Sequence, residues 1–283
     1  MFCSACGSEI QESAAFCSSC GAKNELMKQD SGQQKEAGDN QASAPPPAHE
    51  SSPLLDDVQV SQLKPGSIIS FGRYPQHTSV DETPISWIVL DVNTETMEAR
   101  LISKNILDCL VYNGSRHESQ QENAGVSGWF RKVVTDVIPD STTWKDSEMR
   151  QWMNSDFFFK AFNPDEQRKM IRTKCTGNGA DSSDDLPQTE DYVFLLNTDE
   201  ARMMGGDAQR QADGTEHAKK IKSNGCCLQS HGNENKPRWW LRNRGTGGAG
   251  CVAYVQESGN IYAHGHYANE RHYGMRPVIC IKL

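Results

Sequence analysis

The chain has 283 residues, 36% of them hydrophobic and 23% charged, which is room for one large domain and a small one. Its formal net charge of −8, with a pI near 5.5, argues against a nucleic-acid surface built on a basic face. The longest apolar runs, "WIVL" and "YVFLL", are far too short to span a bilayer, and "MFCSACGSEI" at the start has neither a basic nor an apolar signal region, so a cytoplasmic location is expected.

Residues 1–23 hold four of the ten cysteines, as Cys3-x-x-Cys6-Gly7 and Cys17-x-x-Cys20-Gly21. Each Cys-x-x-Cys turn aims two thiolates at one ion, and the glycine behind each pair lets the knuckle close. Four soft thiolates favour one structural zinc ion over four free thiols in a tail, and in a reducing compartment metal is the better expectation than disulfides. So small a unit has too little apolar surface to fold alone, so metal binding would supply its folding energy. "FCSACGSEI" with "AFCSSCGAK" resembles the short zinc-ribbon domain that begins many bacterial proteins. Glu9 and Glu12 face only Lys23, and the zinc–thiolate centre adds further negative charge. Phosphate binding is therefore disfavoured, and a structural or protein-docking role is expected.

Residues 24–52 are rich in Gln, Glu, Lys, Ser, Ala and Pro, with Leu26 and Met27 as the large apolar side chains. Such a segment cannot bury enough surface to offset chain entropy, and it reads as a disordered linker. As a flexible coil it would span about 30 Å.

Residues 53–283 read as one α+β domain. "GSIISFGRY" and "PISWIVLDV" are β-branched and aromatic, bounded by Gly and Pro. In the second run Ile85, Trp87 and Val89 alternate with Ile88 and Leu90, predicting a central strand covered on both faces. "MEARLISKNIL" follows as a third strand. Trp144, Met149, Trp152 and Met153 recur at helical spacing. Asn163-Pro164-Asp165-Glu166 and Asn197-Thr198-Asp199-Glu200 each read as a helix start with a capping residue and a Glu three positions on. After residue 237 the chain returns to strands: "CVAYV" and "NIYAH" flank a hairpin turn, and "RPVICIKL" closes it. Strands at both ends with helices between them predict a mostly antiparallel sheet.

Several constellations compete for chemistry. His264 and His266 alternate on a strand, with Glu270 and His272 nearby, a pattern that can hold a metal. The competing reading is a polar loop. Asp181, Asp184 and Asp185 offer oxygen for Ca2+, against a solvated acidic loop. "GTGGAG" lacks the Gly-Lys-Ser/Thr ending of a phosphate loop and precedes a strand rather than a helix. In "RWWLRNRG", Trp239 and Trp240 on a strand point to opposite faces, so they frame a fold rather than line one pocket. Arg242 and Arg276 are expected to hydrogen-bond backbone carbonyls or carboxylates near the loop crossing, a structural role for all four residues.

From Tyr74 onward the chain resembles the bacterial DUF6273 family, through "YPQ", "PISWIVL", "TWKDSEMRQWMNSDFF", "AFNPDEQRKMI", "TEDYVFLLNTDEA", "WWLRN" and "YGMRPVICIKL". The "WxLR" strand, the Gly-rich crossing and the closing "GxRP" strand are also similar to the end of C-type-lectin-like folds, which include the formylglycine-generating enzymes. That likeness implies a fold. The cysteine chemistry of those enzymes does not carry over, because Cys226 and Cys227 are adjacent while Cys251 and Cys280 lie inside strand-like runs.

The expected function is a non-enzymatic zinc-binding protein whose lectin-like domain recognises a protein, glycan or small molecule. Its loops at 177–188, 205–215, 243–250 and 264–273 would form the surface, with Arg244, Tyr262, His264, His266, Tyr267 and Arg271 as contact residues. Two alternatives stand beside it: a metal-dependent enzyme using His264, His266 and His272, and an adaptor that docks through the zinc ribbon.

Overall fold

The β-branched and aromatic runs form the strands they predict. β1 (Ile68–Tyr74) pairs antiparallel with β2 (Thr83–Asn93), and β3 (Glu98–Ser103) adds antiparallel to the other side of β2. The computed structural model describes residues 63–77, 82–114, 142–220, 228 and 236–283, all within one unit, Glu50–Leu283. The cysteines of residues 1–23, the linker 24–52 and Cys226 and Cys227 lie outside the described residues.

β4 (Asp108–Cys109) follows, and the helical middle then begins. α1 (Glu148–Trp152) starts at Ser147, whose hydroxyl accepts a hydrogen bond from Arg150 N at 3.2 Å. Trp144 therefore lies in the turn ahead of the helix rather than on it, buried, with its indole N–H donating to Asp191 at 2.8 Å. A π-helical turn, Met153–Phe157, continues α1 into α2 (Phe158–Ala161). Asn154 in that turn donates to Val193 O at 2.8 Å and accepts from Tyr192 N at 2.9 Å, clipping the turn to the chain that enters the sheet.

α3 (Pro164–Lys169) carries a capping box: Asn163 accepts from Asp165 N and Glu166 N, and Glu166 accepts from Asn163 N at 2.8 Å. Glu166 also accepts from Gly72 N at 2.9 Å, which joins the helix start to β1. β5 (Thr173–Cys175) and β6 (Thr189–Asp191) form a small separate pair, and β7 (Val193–Phe194) enters the main sheet. α4 (Thr198–Met203) repeats the capping box with Asn197 and Glu200. α5 (Asp207–Arg210) and α6 (Glu216–Lys220) complete the helical part.

β8 (Trp239–Arg244), β9 (Cys251–Val255) and β10 (Ile261–Tyr267) form an antiparallel meander, β9 and β10 joined through the predicted hairpin with Gln256 N donating to Asn260 O at 2.8 Å. β11 (Gly274–Met275) pairs parallel with β8 and antiparallel with β4, and β12 (Val278–Lys282) lies between β3 and β7. The result is α+β: one five-stranded sheet in the order β1-β2-β3-β12-β7 and a second in the order β10-β9-β8-β11-β4. The chain passes from the second sheet to the first through Arg276 and Pro277. No helix among the described residues is long and apolar enough to cross a membrane.

Both sheets bury aromatic side chains. Trp239 and Trp240 are each fully buried, one on either face of β8. The Trp239 indole N–H donates to Arg210 O at 3.1 Å, while Trp240 stacks on Tyr273 at 4.3 Å and donates to Leu110 O at 3.2 Å. β2 departs from expectation. Ile85, Trp87 and Val89 are buried, but Ile88 and Leu90 on the other face are only half-covered. That second face borders a cleft instead of a packed layer.

Candidate functional site

Glu200 does two jobs at the start of α4. As the third residue of the capping box it accepts from Asn197 N at 2.9 Å, and its carboxylate also faces Arg242 of β8. The Arg242 guanidinium, 1% exposed, uses all five of its N–H groups. Nε donates to Asn178 Oδ1 at 3.0 Å, Nη1 to Leu195 O at 2.7 Å and to Glu200 Oε2, and Nη2 to Thr176 O at 2.7 Å and to Glu200 Oε1 at 3.1 Å. Burial alone would push the Glu200 carboxyl up. The Arg242 charge and its hydrogen bonds outweigh burial and hold Glu200 below its ordinary value. The Arg242 guanidinium is in turn held above its own ordinary value by Glu200, against its burial.

On the solvent side of this pair lies a cleft of about 730 Å³. One wall is the open face of β2, with Ile88 and Leu90, continued by Arg100 of β3. The other is α4 and α5, with Met203, Met204 and Ala208. Lys104, Asp213 and Lys236 stand along it, and Arg276 is also among its lining residues. The volume is typical of a small-molecule site, and half of the lining residues are polar or charged. Among the described residues, the cleft lining contains no hydroxyl, thiol or imidazole side chain.

Arg276 is the unusual member. It is 1% exposed at the crossing between the sheets. Nε donates to Ser103 O and Nη1 to Arg210 O, each at 3.0 Å, and the guanidinium lies 5.1 Å from the Trp239 ring centre. These contacts tie together β3, α5 and β8. They are all to neutral groups, and burial pushes the guanidinium down to about 9, which leaves it charged at neutral pH.

The residues expected to form a binding surface lie elsewhere, around β10. Arg244 donates to Asp185 at 3.0 Å and its backbone N–H to Asn178 O at 3.0 Å, so it clamps the acidic loop to the Gly-rich crossing. Tyr262 and Tyr267 are 39% and 47% exposed. Tyr262 leans on Tyr254 with ring centres 5.2 Å apart, and His264 is exposed beside it. The backbone of Arg271 accepts from Cys109 Sγ at 3.4 Å.

The alternative metal site of His264, His266 and His272 is not assembled among the described residues. Among the described residues no group of three or more His, Cys, Asp or Glu side chains is placed to hold a metal ion. The reason lies in β10: Gly265 sits at φ +82° and the pairing register shifts between Tyr262 and His266, so strict alternation fails. His266 and His272 turn instead to Glu270, at 3.4 and 3.8 Å. The Ca2+ alternative weighed for Asp181, Asp184 and Asp185 is not assembled among the described residues either. Asp181 pairs with Arg202 at 3.1 Å, Asp184 accepts from Gly177 N at 2.7 Å, and Asp185 faces Arg244.

"GTGGAG" is a packing device. Gly247 N donates to His264 O at 2.8 Å, and a Cβ at Gly247 would meet that oxygen and the His264 ring at 2.8 Å. Among the described residues, Cys109, Cys175, Cys251 and Cys280 form no disulfide. Burial pushes the Cys175 thiol up to about 12 and raises Cys251 and Cys280 as well, so these behave as inert apolar groups.

Sequence reasoning did not single out Arg100, Lys104, Met203 or Met204. The available signals were a cationic Arg100 inside an apolar strand run and an adjacent methionine pair closing α4.

Comparison with protein families matches two models. Residues 2–24 match the zinc-ribbon domain, and residues 98–283, more than half of the chain, match DUF6273, a domain of unknown function. The matched span begins at β3, so β1 and β2, including the open face of the cleft, precede it. No curated protein and no solved structure matches the chain.

Proposed function

The chain belongs to the DUF6273 family, a domain of unknown function, and from its cleft we propose that it is a non-enzymatic binding module. A lectin-like domain takes a small-molecule ligand in the cleft, and the zinc ribbon that precedes it in the sequence serves as its docking end. The observation that carries this reading is the cleft itself: about 730 Å³, walled by apolar and methionine side chains, with charged groups along it. Methionines suit such a wall because their unbranched side chains adapt to a ligand's shape. Glu200, the carboxylate most embedded in the wall, is held ionised by Arg242 and makes a poor general acid.

Other features support the finer parts of the reading. The Trp-Leu-Arg strand β8 sits in one sheet while the closing strand β12 returns to the other, an arrangement in keeping with a lectin-like domain. The four thiolates of Cys3, Cys6, Cys17 and Cys20 suit one Zn2+, and the ribbon's acidic charge suits a protein partner rather than nucleic acid.

The test is a fragment screen by NMR on the full chain, with the Met203 and Met204 methyl groups and the rings of Tyr262 and His264 as reporters. Fragments that bind are expected to move the methionine methyls and to leave the β10 rings in place. Hits confined to Tyr262, His264 and Tyr267 would sink the cleft reading and restore the loop surface around β10.

A further inference from the structure

The charges around the cleft do not cancel evenly. Arg100, Lys104, Lys236 and Arg276 line it against Asp91, Glu200 and Asp213, four cations to three carboxylates, in a chain whose net charge is −8. Most of these have local partners. Lys236 meets Asp213 at 2.6 Å, and Arg100 lies 3.8 Å from Glu200 and opposite Asp91 across the β2–β3 pairing. Glu200 is matched from behind by Arg242. Lys104 and Arg276 remain, and neither has a carboxylate at ion-pair distance among the described residues.

These two cations lie at the same end of the cleft. Arg276 Nε donates to the carbonyl of Ser103, and Lys104 is the next residue. A buried guanidinium with only neutral acceptors is a costly arrangement that a nearby anion relieves. From Lys104 the apolar strip runs beside Ile88, which pairs with Ile102, and Leu90 toward Arg100. At about 3.3 Å per residue the strand distance from Lys104 to Arg100 is about 13 Å. Met203 and Met204 face that strip from the opposite wall.

Resting on the small-molecule reading above, we propose that the cleft selects a carboxylate on an apolar stem, with the head at Lys104 and Arg276 and the stem between Ile88, Leu90 and the Met203–Met204 pair. Arg276 then has two roles. Its two carbonyl bonds tie the sheets together, and its uncompensated charge biases the cleft toward an anion.

The experiment is calorimetric titration of the full chain with sodium octanoate, 1-octanol and inorganic phosphate, repeated on Lys104→Glu and Ala208→Trp. Lys104 and Ala208 are both exposed, so neither change disturbs the core, and circular dichroism checks that each variant is folded. Octanoate is expected to bind the native chain at least tenfold more tightly than octanol or phosphate. Lys104→Glu should weaken octanoate at least tenfold and leave octanol unchanged. Ala208→Trp, which fills the cleft, should weaken both. If octanol binds as tightly as octanoate, or if octanoate ignores Lys104→Glu, the anion selection is overturned while the cleft reading survives. Phosphate binding as tight as octanoate overturns the apolar stem. If neither octanoate nor octanol binds, or if octanoate binding ignores Ala208→Trp, the cleft reading falls and this inference falls with it.

Discussion

Replacing Arg242 with Ala removes a buried cation that uses all five of its N–H groups. It leaves the Glu200 carboxylate, 22% exposed, without its bidentate partner, and strips the Leu195 and Thr176 carbonyls and Asn178 Oδ1 of a donor. Removing one member of a buried ion pair costs about 3–5 kcal/mol, because the remaining charge keeps its desolvation penalty. For a domain of this size each kcal/mol lowers Tm by about 2–4 °C, so Arg242→Ala should melt roughly 6–20 °C below the native chain. Thermal unfolding at neutral pH, followed by circular dichroism, measures this. The double change Arg242→Ala with Glu200→Ala should lose less than the two single losses added, since it no longer buries an orphan charge. The loss has a pH signature as well. Glu200 is held below its ordinary 4.5, so the pair's contribution is fully present above pH 4.5 and fades as pH falls through the lower folded value. The Tm gap between native and Arg242→Ala should therefore narrow on acidification below 4.5. A loss under about 0.5 kcal/mol at neutral pH, within the ordinary range for surface changes, would refute the pairing as a structural element.

Three further outcomes are expected. Gly245→Ala places a Cβ 2.9 Å from Gly265 Cα and closer still to His264 O, so overpacking should cost about 1–3 kcal/mol in urea unfolding, and an unchanged midpoint would count against the close crossing. Burial raises the Asp108 carboxyl to about 6 from 3.8, against the lowering effects of Tyr74, the Cys109 N–H and Lys160. A raised carboxyl favours the folded state only while protonated, so Asp108's contribution is lost as pH rises through 6, and an NMR titration midpoint near 3.8 would contradict its burial. Purified full chain should carry one zinc ion by elemental analysis. Cys3→Ser with Cys17→Ser should abolish it and His264→Ala with His266→Ala should leave it; a second equivalent lost with the histidines would revive the metal-enzyme alternative.

Much of the local structure was written in short stretches. The capping boxes at Asn163 and Asn197 follow from a side chain that reaches a backbone N–H three residues away, a geometry the sequence carries whatever the rest of the chain does. The β1, β2, β8, β9 and β12 runs are β-branched or aromatic and long enough to alternate. β4 and β11 were not legible, since a strand of two residues has no period; β11 exists because β8 offers an edge to pair with, and β4 because β11 offers the next. The alternative metal triad of His264, His266 and His272 is not assembled among the described residues, and Gly265 at positive φ accompanies a register shift that spacing alone does not report.

By itself, then, the sequence determined the zinc-ribbon and DUF6273 architecture, the α+β class, the helix starts and the tryptophan frame of β8, because each rests on neighbours within a few residues or on a recognisable run. Tertiary structure alone decided where the cleft lies and what charges it. Arg100, Lys104, Glu200 and Arg276 come from β3, the residue after it, α4 and the final sheet crossing. Whether a charge is matched or left unpaired depends on which groups the packed elements bring within about 4 Å of it, and in this chain those groups are a hundred residues or more apart: Arg276 meets Ser103, and Glu200 faces Arg100.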